Sequence, residues 1–160
     1  MILALTGHRE QRLNLPTDVS AEEWKPIRKW IKEQILLINP NEVFTGMASG
    51  SDMAIGYVVA QMKDTGYDIK LSCILPCKGY GTRNPNYEFI INHANDIIEM
   101  HGEWIKGCDN DRDDYMASNC DILLAVYDRT PTGGVYSTIN KAKKQHKQII
   151  YCPTEILIQK

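Results

Sequence analysis

The sequence predicts one α/β domain in three layers, with a mostly parallel sheet covered by helices on both faces. The chain has 160 residues, of which 43% are hydrophobic, and short apolar runs alternate along it with longer amphipathic ones. A chain of this length can bury one good core but is too short for two ordinary domains. Residues 2–5 and 122–126 are solid apolar runs, as expected of strands buried on both faces. We therefore expect a single domain over residues 1–160.

The short apolar runs are the candidate strands. They cover residues 2–6, 43–45, 69–75, 96–100, 122–127 and 148–152. Because helices fit between all of them, the alternation favours parallel strands joined by helical crossovers. This arrangement is a Rossmann-like architecture.

The amphipathic runs predict five helices between these strands. Residues 20–23 have the spacing of a capping box for the first helix, and Pro26 is expected to begin its regular part. A second helix should follow Ser49 or Ser51 and close near Gly66, and a third should begin at Pro85. The last two are expected over residues 109–119 and 135–145, and residues 153–160 are either an extra strand or a loose tail.

Composition and charge narrow the classes of partner. The net charge is −2, with basic and acidic residues intermixed, so the molecule has no overall field to attract nucleic acid or an anionic membrane. No apolar stretch approaches the roughly 20 residues that span a bilayer, and the first residues do not resemble a signal peptide. We expect a cytoplasmic protein with a small-molecule partner and no membrane association.

Cysteine usage agrees with that compartment. The five cysteines are odd in number and lack zinc-like spacing, so we interpret them as reduced packing residues and expect neither a metal nor a cofactor. They are Cys73, Cys77, Cys108, Cys120 and Cys152.

Ligands of open parallel sheets bind outside the carboxyl ends of the strands, so the segments that follow each strand are the candidate site. After the first strand, Gly7 permits a tight turn, while His8 and Arg9 supply donors for phosphate or carboxylate oxygens. After the second strand, residues 45–52 combine glycines with hydroxyls that can cradle an anion. This segment is neither a Walker loop nor a dinucleotide fingerprint, and Asp52 could contact the ligand or only cap the helix.

Two later segments complete the candidate site. Residues 75–84 form either a lid, with Tyr80 and Arg83 over the ligand, or a solvated loop. Residues 128–138 place Gly133 and Gly134 where a phosphate or ribose could meet a helix N-terminus. A turn with a hydroxyl cap would explain only one of these glycines.

The acidic run at residues 109–114 has two interpretations. A carboxylate cluster can hold magnesium or calcium, but this one lacks the glycine and terminal glutamate of a calcium loop. A charged helix N-terminus, where acids are favoured by the helix dipole, is the preferred interpretation.

The order of these motifs resembles the SLOG superfamily, and in particular YpsA-like proteins, which are related to LOG nucleotide hydrolases and DprA-type Rossmann domains. Thr-Gly-His-Arg at 6–9 is similar to the opening motif of that group. Residues 46–52 resemble its Gly-Met-Ala-x-Gly-x-Asp, residues 75–76 the end of its third strand, and residues 112–116 its Arg-Asn-x-x-Met segment. Residues 121–128 with Gly133 and Gly134 resemble its closing strand and glycine pair.

The resemblance covers the chain to about residue 153 and implies a Rossmann-like domain that binds nucleotides or nucleotide-derived signals. From the residues and the resemblance together we expect the ligand to be bound by Gly7, His8, Arg9, Gly46, Met47, Ser49, Gly50, Ser51, Asp52, Pro76, Arg112, Asp128, Gly133, Gly134, Tyr136, Ser137 and Thr138. We also expect the chain to form a homo-oligomer.

One departure from the hydrolytic relatives bears on function. They carry Pro-Gly-Gly-x-Gly-Thr-x-x-Glu, whereas residues 133–140 have no carboxylate at that place, and the amide of Asn140 can neither take a proton nor act as a carboxylate nucleophile. The preferred function is therefore binding or sensing. The alternative is an N-glycosidase or glycosyl transferase in which Asp52, Asp121 or Asp128 replaces the glutamate.

A protein-interaction module is a second alternative. It would use an apolar surface on the first long helix, around Trp24 and Trp30, as a subunit or partner interface. Packing of both tryptophans in the core of the chain explains them equally well.

Overall fold

Six parallel strands form the single sheet of the protein, in a computed structural model that describes residues 1–158. In chain order the strands are β1 (Ile2–Gly7), β2 (Glu42–Thr45), β3 (Lys70–Leu75), β4 (Asp96–Glu99), β5 (Ile122–Val126) and β6 (Gln148–Tyr151). Their order across the sheet is β4-β3-β2-β1-β5-β6, and every neighbouring pair is parallel. The predicted α/β class is confirmed, and each predicted strand agrees with an observed one to within a residue at either end.

The helices lie between the strands as the amphipathic runs predict, together with two short ones that were not predicted. They are α1 (Glu10–Leu13), α2 (Lys25–Ile38), α3 (Ser51–Asp64), α4 (Tyr87–Asn92), α5 (Cys108–Asn119), α6 (Gly133–Lys144) and α7 (Thr154–Leu157), with a 3-10 helix at Glu22–Trp24 before α2. Both α1 and α7 are single turns of four residues, too short for an apolar periodicity to mark them.

The predicted capping box before α2 is wrong. The Ser20 hydroxyl donates to Asp18 Oδ1 at 2.6 Å, and Ala21 stands at the N-cap of the 3-10 helix without a side-chain cap. The α-helix begins only at Lys25, with Pro26 in its first turn, where the missing N–H of proline costs no helical hydrogen bond.

The prediction of a strand or loose tail after residue 153 is also wrong for the part that the structure describes. Residues Thr154–Leu157 form α7, and Leu157 is buried in the core. The apolar side chains of Ile156 and Leu157 pack against the main hydrophobic cluster, which favours the helical turn over an exposed end. Residues 159 and 160 lie outside the described residues.

Two hydrophobic clusters cover the two faces of the sheet. Leu3 and Leu5 belong to the cluster that packs under α2 and α3, whereas Ala4 belongs to the cluster under α5 and α6, as the alternation of side chains along a strand requires. Trp24 and Trp30 are buried in the first cluster, and Trp24 Nε1 donates to the Pro16 carbonyl at 2.7 Å. Core packing therefore accounts for both tryptophans, which do not form an exposed surface on α2.

The five cysteines are free, buried thiols, which confirms their interpretation as packing residues. Burial raises the pKa of Cys73 and of Cys152 to about 12, so these thiols stay protonated. Within residues 1–158, no helix combines the length and apolar character that crossing a bilayer would require.

The strand order creates a switch point beside β1. The chain moves from β1 to β2, β3 and β4 on one side, then crosses to β5 and β6 on the other. At the carboxyl end, Gly7 of β1 is in register with Val126 of β5. The loops that leave these two strands diverge there, and such a crevice is where ligands of open α/β sheets bind.

Candidate functional site

A cavity of about 460 Å³ opens at this switch point. Its walls come from the end of β1, from α1, from the β2–α3 loop, from α5 and from the start of α6. The lining residues are Leu5, Thr6, Gly7, His8, Arg9, Gln11, Arg12, Ala48, Asp52, Asp109, Arg112, Asp113, Met116, Thr132, Gly133, Gly134 and Val135. We call it the strand-end cavity.

Close packing between the β1 loop and the start of α3 fixes one wall of the strand-end cavity. A Cβ at Gly7 would lie 2.5 Å from the Cβ of Ser51, so only glycine fits there. The Ser51 hydroxyl donates to the His8 carbonyl at 2.6 Å. Gly50 has φ +89°, and a Cβ there would lie 2.7 Å from Arg9 Cα. Gly50 and Ser51 thus serve to hold the β1 loop in place.

A buried ionic cluster of Asp52, Arg112 and Asp113 forms a second part of the lining. Arg112 Nε donates to Asp113 Oδ1 at 2.7 Å, and Nη1 donates to the Gly46 carbonyl at 2.7 Å. A Cβ at Gly46 would lie 2.7 Å from Asp52 Oδ2 and 2.9 Å from Arg112 Cδ, so this glycine makes room for the pair. Asp52 is also fixed by Thr45, whose hydroxyl donates to the Asp52 carbonyl at 2.6 Å.

The carboxyl groups of this cluster bind protons more tightly than usual. Burial raises the pKa of Asp52 to about 7, against the opposing charge of Arg112. Burial also raises the pKa of Asp113, again opposed by Arg112. Near neutral pH Asp52 therefore exists in both protonation states, so it can donate a hydrogen bond to a ligand or accept one.

The N-terminus of α6 supplies backbone N–H groups to the strand-end cavity. Gly133 has φ +93°, a conformation that favours glycine, and a Cβ at Gly133 or at Gly134 would meet no heavy atom within 4 Å. The space beside both residues is open, so a ligand can approach the backbone closely. Together with the Arg9 and Arg12 side chains, these amides suit an anion such as phosphate.

Asp128, one of the predicted ligand residues, is held by several polar contacts. Its Oδ2 accepts from Arg12 Nε at 2.7 Å, its Oδ1 accepts from the Thr130 N–H at 3.0 Å, and His8 Nε2 lies 3.1 Å from Oδ1. Burial opposes ionisation of Asp128, but hydrogen bonds from Thr130, Arg12 and His8 hold its pKa well below the usual range. Asp128 does not line the strand-end cavity. It braces the β5–α6 loop against α1.

The predicted ligand residues fall into three groups. Gly7, His8, Arg9, Asp52, Arg112, Gly133 and Gly134 line the strand-end cavity, and Met47 and Ser49 line a neighbouring one. Five further residues stand behind these walls and support them: Gly46, Gly50, Ser51, Asp128 and Thr138. The Thr138 hydroxyl donates to the Gly134 carbonyl at 2.9 Å. Pro76 is buried after β3, and Tyr136 and Ser137 are exposed on α6; these three line neither cavity.

Asp121 is contradicted as a catalytic candidate. It precedes β5 and accepts a hydrogen bond from the Ile2 backbone N–H at 2.7 Å, at the amino ends of β5 and β1. The strand-end cavity lies at the opposite edge of the sheet, so this carboxyl group cannot take part in chemistry there.

Among the cavity-lining residues that the expected ligand set does not include, Asp113 and Arg12 carry charges. Asp113 stands where the Arg-Asn-x-x-Met segment has asparagine, a departure that marks it as unusual, but its charge was attributed to the acidic helix N-terminus. The interpretation as a charged helix N-terminus does hold for Asp109 and Asp111, which lie in the first turn of α5. Arg12 lies three residues after Arg9 on α1, a helix that the sequence did not predict.

The β3–α4 segment folds back towards the buried cluster. The Tyr80 ring stacks on Trp104 with centroids 6.2 Å apart, and the Arg112 guanidinium lies 5.7 Å from the Tyr80 centroid. Arg83 is exposed and lines the neighbouring cavity with Tyr80. Tyr80 thus lies beside the Arg112 side chain of the buried cluster.

An all-parallel sheet with a polar cavity at its switch point defines a Rossmann-like α/β domain. A family model described as the YspA SLOG family matches residues 3–159, and the chain belongs to this family. A search of curated proteins finds no significant match. Membership confirms the resemblance drawn from the motif order, and it is consistent with a nucleotide-related role.

Proposed function

We propose that the protein binds a nucleotide or a nucleotide-derived signalling molecule in the strand-end cavity and leaves it intact. One observation carries the proposal: the open amides of Gly133 and Gly134 line the same cavity as Arg9, Arg12 and the buried Asp52. Helix amides and arginines suit the phosphate, while a carboxyl group can accept hydrogen bonds from ribose hydroxyls.

The chemistry of the lining supports holding rather than cutting. Hydrolytic relatives place a glutamate after their glycine pair, whereas this chain has Asn140 in that region of α6. Asp128 is occupied with Arg12 and Thr130, and Arg112 holds Asp113. None of these groups is free to act as a carboxylate nucleophile in the manner of the missing glutamate.

Cleavage of an N-glycosidic bond is the second candidate function, and the raised pKa of Asp52 is the observation that favours it. A carboxylic acid that titrates near pH 7 can protonate a leaving base as the carbon–nitrogen bond breaks. Water would then add to the sugar carbon and lose a proton to Asp113. This route predicts free base among the products.

Binding is tested by calorimetric titration with AMP, GMP and ribose 5-phosphate, using the wild-type protein and two variants. In Arg9→Met an exposed cation of the strand-end cavity is lost, and we expect affinity for at least one of these phosphates to fall about 10-fold or more. Lys32→Met is the matched control, because Lys32 lies in a groove between α2 and α3 away from the strand ends. The proposal fails if no phosphate binds, or if both variants bind equally well.

Chromatography of the same mixtures separates the two candidate functions. Intact nucleotide after prolonged incubation supports binding. Base release that disappears in Asp52→Asn would instead establish the glycosidase and overturn the preferred function.

A further inference from the structure

A second cavity, of about 480 Å³, adjoins the strand-end cavity. It lies among the segments that follow β1, β2 and β3, and Arg9 and Gln11 line both cavities. Its lining also includes Glu10, Met47, Ser49, Met53, Tyr80 and Asn84. We call it the adjoining cavity.

Two unpaired polar atoms belong to residues of the adjoining cavity. Glu10 is 3% exposed; its Oε1 accepts from the Ser49 hydroxyl at 2.9 Å, but its Oε2 has no hydrogen-bond partner. Asn84 Oδ1 accepts from the Asn86 N–H at 2.9 Å, but Asn84 Nδ2 has no partner. Across residues 1–158 these are the two buried side-chain nitrogen or oxygen atoms left unpaired, and both belong to residues that line the adjoining cavity.

An unpaired buried carboxylate oxygen is costly, and native proteins rarely keep one without a purpose. Here the unpaired acceptor of Glu10 is accompanied by the unpaired donor of Asn84. A ligand that offers both a donor and an acceptor has the chemistry to pair with these two atoms. The pairing therefore specifies the ligand chemistry more narrowly than either residue alone.

We propose that the adjoining cavity is the base subsite of the nucleotide site, an inference that rests on the proposed function. It takes a heterocyclic base that presents an N–H beside a carbonyl oxygen or ring nitrogen. The N–H donates to Glu10 Oε2, and the neighbouring acceptor receives the Asn84 Nδ2 proton. Met47, Met53 and Tyr80 supply the polarizable and aromatic surfaces against which a planar ring packs.

The position of Arg9 fits this division of the ligand. Because Arg9 and Gln11 line both cavities, a nucleotide with its phosphate at the start of α6 can extend past them to the base subsite. Ribose 5-phosphate fills the first cavity alone, since it has no base. Affinity gained from the base therefore measures the adjoining cavity, and affinity for ribose 5-phosphate measures the strand-end cavity.

The test uses two near-isosteric variants of the full chain, Glu10→Gln and Asn84→Asp. The first exchanges a carboxylate for an amide, and the second replaces the unpaired donor with an acceptor while keeping Oδ1 for Asn86. Calorimetric titrations are run with AMP, GMP, CMP, UMP and ribose 5-phosphate. Glu22→Gln, at an exposed position in the 3-10 helix, is the matched control.

We expect the wild-type protein to bind at least one nucleotide about 10-fold or more tightly than ribose 5-phosphate. Glu10→Gln and Asn84→Asp should each lose about 10-fold in affinity for that nucleotide. Their affinity for ribose 5-phosphate should stay within about 2-fold of the wild-type value, because the altered contact is made only to the base. Glu22→Gln should match the wild-type protein for every probe.

Equal binding of all nucleotides and ribose 5-phosphate would overturn the base subsite and leave the proposed function standing. Equal weakening of nucleotide and ribose 5-phosphate in both variants would overturn it too, since it would indicate a role only in positioning the loops. If no probe binds, the proposed function fails and the base subsite with it. Thermal unfolding identifies a variant that does not fold, in which case the remaining variant and the wild-type comparison decide the matter.

Discussion

Two segments at the same edge of the sheet each contribute an aspartate, and the pKa values of the two carboxyl groups are shifted in opposite directions. Asp52, at the start of α3, is 7% exposed, and burial raises its pKa to about 7. Asp128, after β5, is partly exposed, and hydrogen bonds from Thr130 and Arg12 keep its pKa well below the usual range in spite of burial. Hydrogen bonds to the ionised form outweigh desolvation at Asp128, whereas at Asp52 the charges of Arg112 and Arg9 and one long hydrogen bond from the Ala48 N–H do not outweigh it.

This difference separates the two segments by role. The β5–α6 loop is held by a permanent charge at Asp128, which keeps Gly133 and Gly134 in position beside the strand-end cavity. The start of α3 instead carries Asp52, a group that changes charge near neutral pH. Ligand binding by this protein should therefore depend on pH through Asp52 and not through Asp128.

The largest effect is expected from removing the cation between the buried carboxyl groups. Arg112→Met leaves Asp52 and Asp113 without their main counter-charge and the Gly46 carbonyl without its donor. We expect the free energy of unfolding near pH 8 to fall by about 3–5 kcal/mol, as when one partner of a buried ion pair is lost. Near pH 5 the loss should be smaller, because both carboxyl groups can then take up protons.

Urea denaturation at the two pH values measures this effect, and Arg12→Met is the matched control at Asp128. The Arg12 side chain is 49% exposed, so the loss there should be about 1 kcal/mol or less. If Arg112→Met and Arg12→Met lost equal free energy of unfolding, the surroundings of Asp52 and Asp128 would not differ in burial as described.

Asp52→Asn is expected to have the next largest effect, seen in the pH dependence of stability. From about pH 4 to 7 the unfolded chain has already ionised Asp52, while the folded protein keeps the proton, so the wild-type protein loses stability as pH rises. Asp52→Asn has no carboxyl group at this position and does not show this decrease in stability. The difference in free energy of unfolding between the two proteins should change by about 2–4 kcal/mol over this range and level off above it.

Urea unfolding at several pH values between these limits provides the measurement. If wild type and variant follow parallel curves, then the carboxyl group of Asp52 is not protonated in the folded protein at mildly acidic pH. In that case its assignment as a group that changes charge near neutral pH is wrong.

The sequence was sufficient to locate the edge of the sheet and most glycines of the site. Solid apolar runs mark the strands because both faces of a parallel sheet are buried. Gly7 ends the first strand, and Gly133 and Gly134 stand after the loop that follows β5. The error at Asp121 has the same origin. This aspartate precedes an apolar run instead of following it, so its place at the amino end of β5 could have been inferred from the order alone.

The ionic cluster could not be inferred in this way. Arg112 and the Gly46 carbonyl that accepts from it are 66 positions apart, and they meet only because α5 packs behind the β2–α3 loop. Burial, which sets the acidity of Asp52 and Asp113, is likewise a property of that packing. Local pattern predicts elements, whereas the charge state of a carboxyl group depends on what surrounds it in three dimensions.

The smallest effect is expected at Asp128, and its sign should be the reverse of that at Asp52. Because the folded pKa of Asp128 is lowered, its contribution is complete above the usual value of about 3.8 and is lost as pH falls through the folded value. Asp128→Asn should therefore lower the free energy of unfolding near pH 7 by about 1 kcal/mol, a modest amount because water screens a partly exposed pair. Relative to this variant, the wild-type protein should become less stable only on strong acidification.

Urea unfolding at about pH 7, 4 and 3 measures the trend. A difference that grew with acidification would contradict the comparison, since it would mean that Asp128, like Asp52, is stabilised in its protonated form.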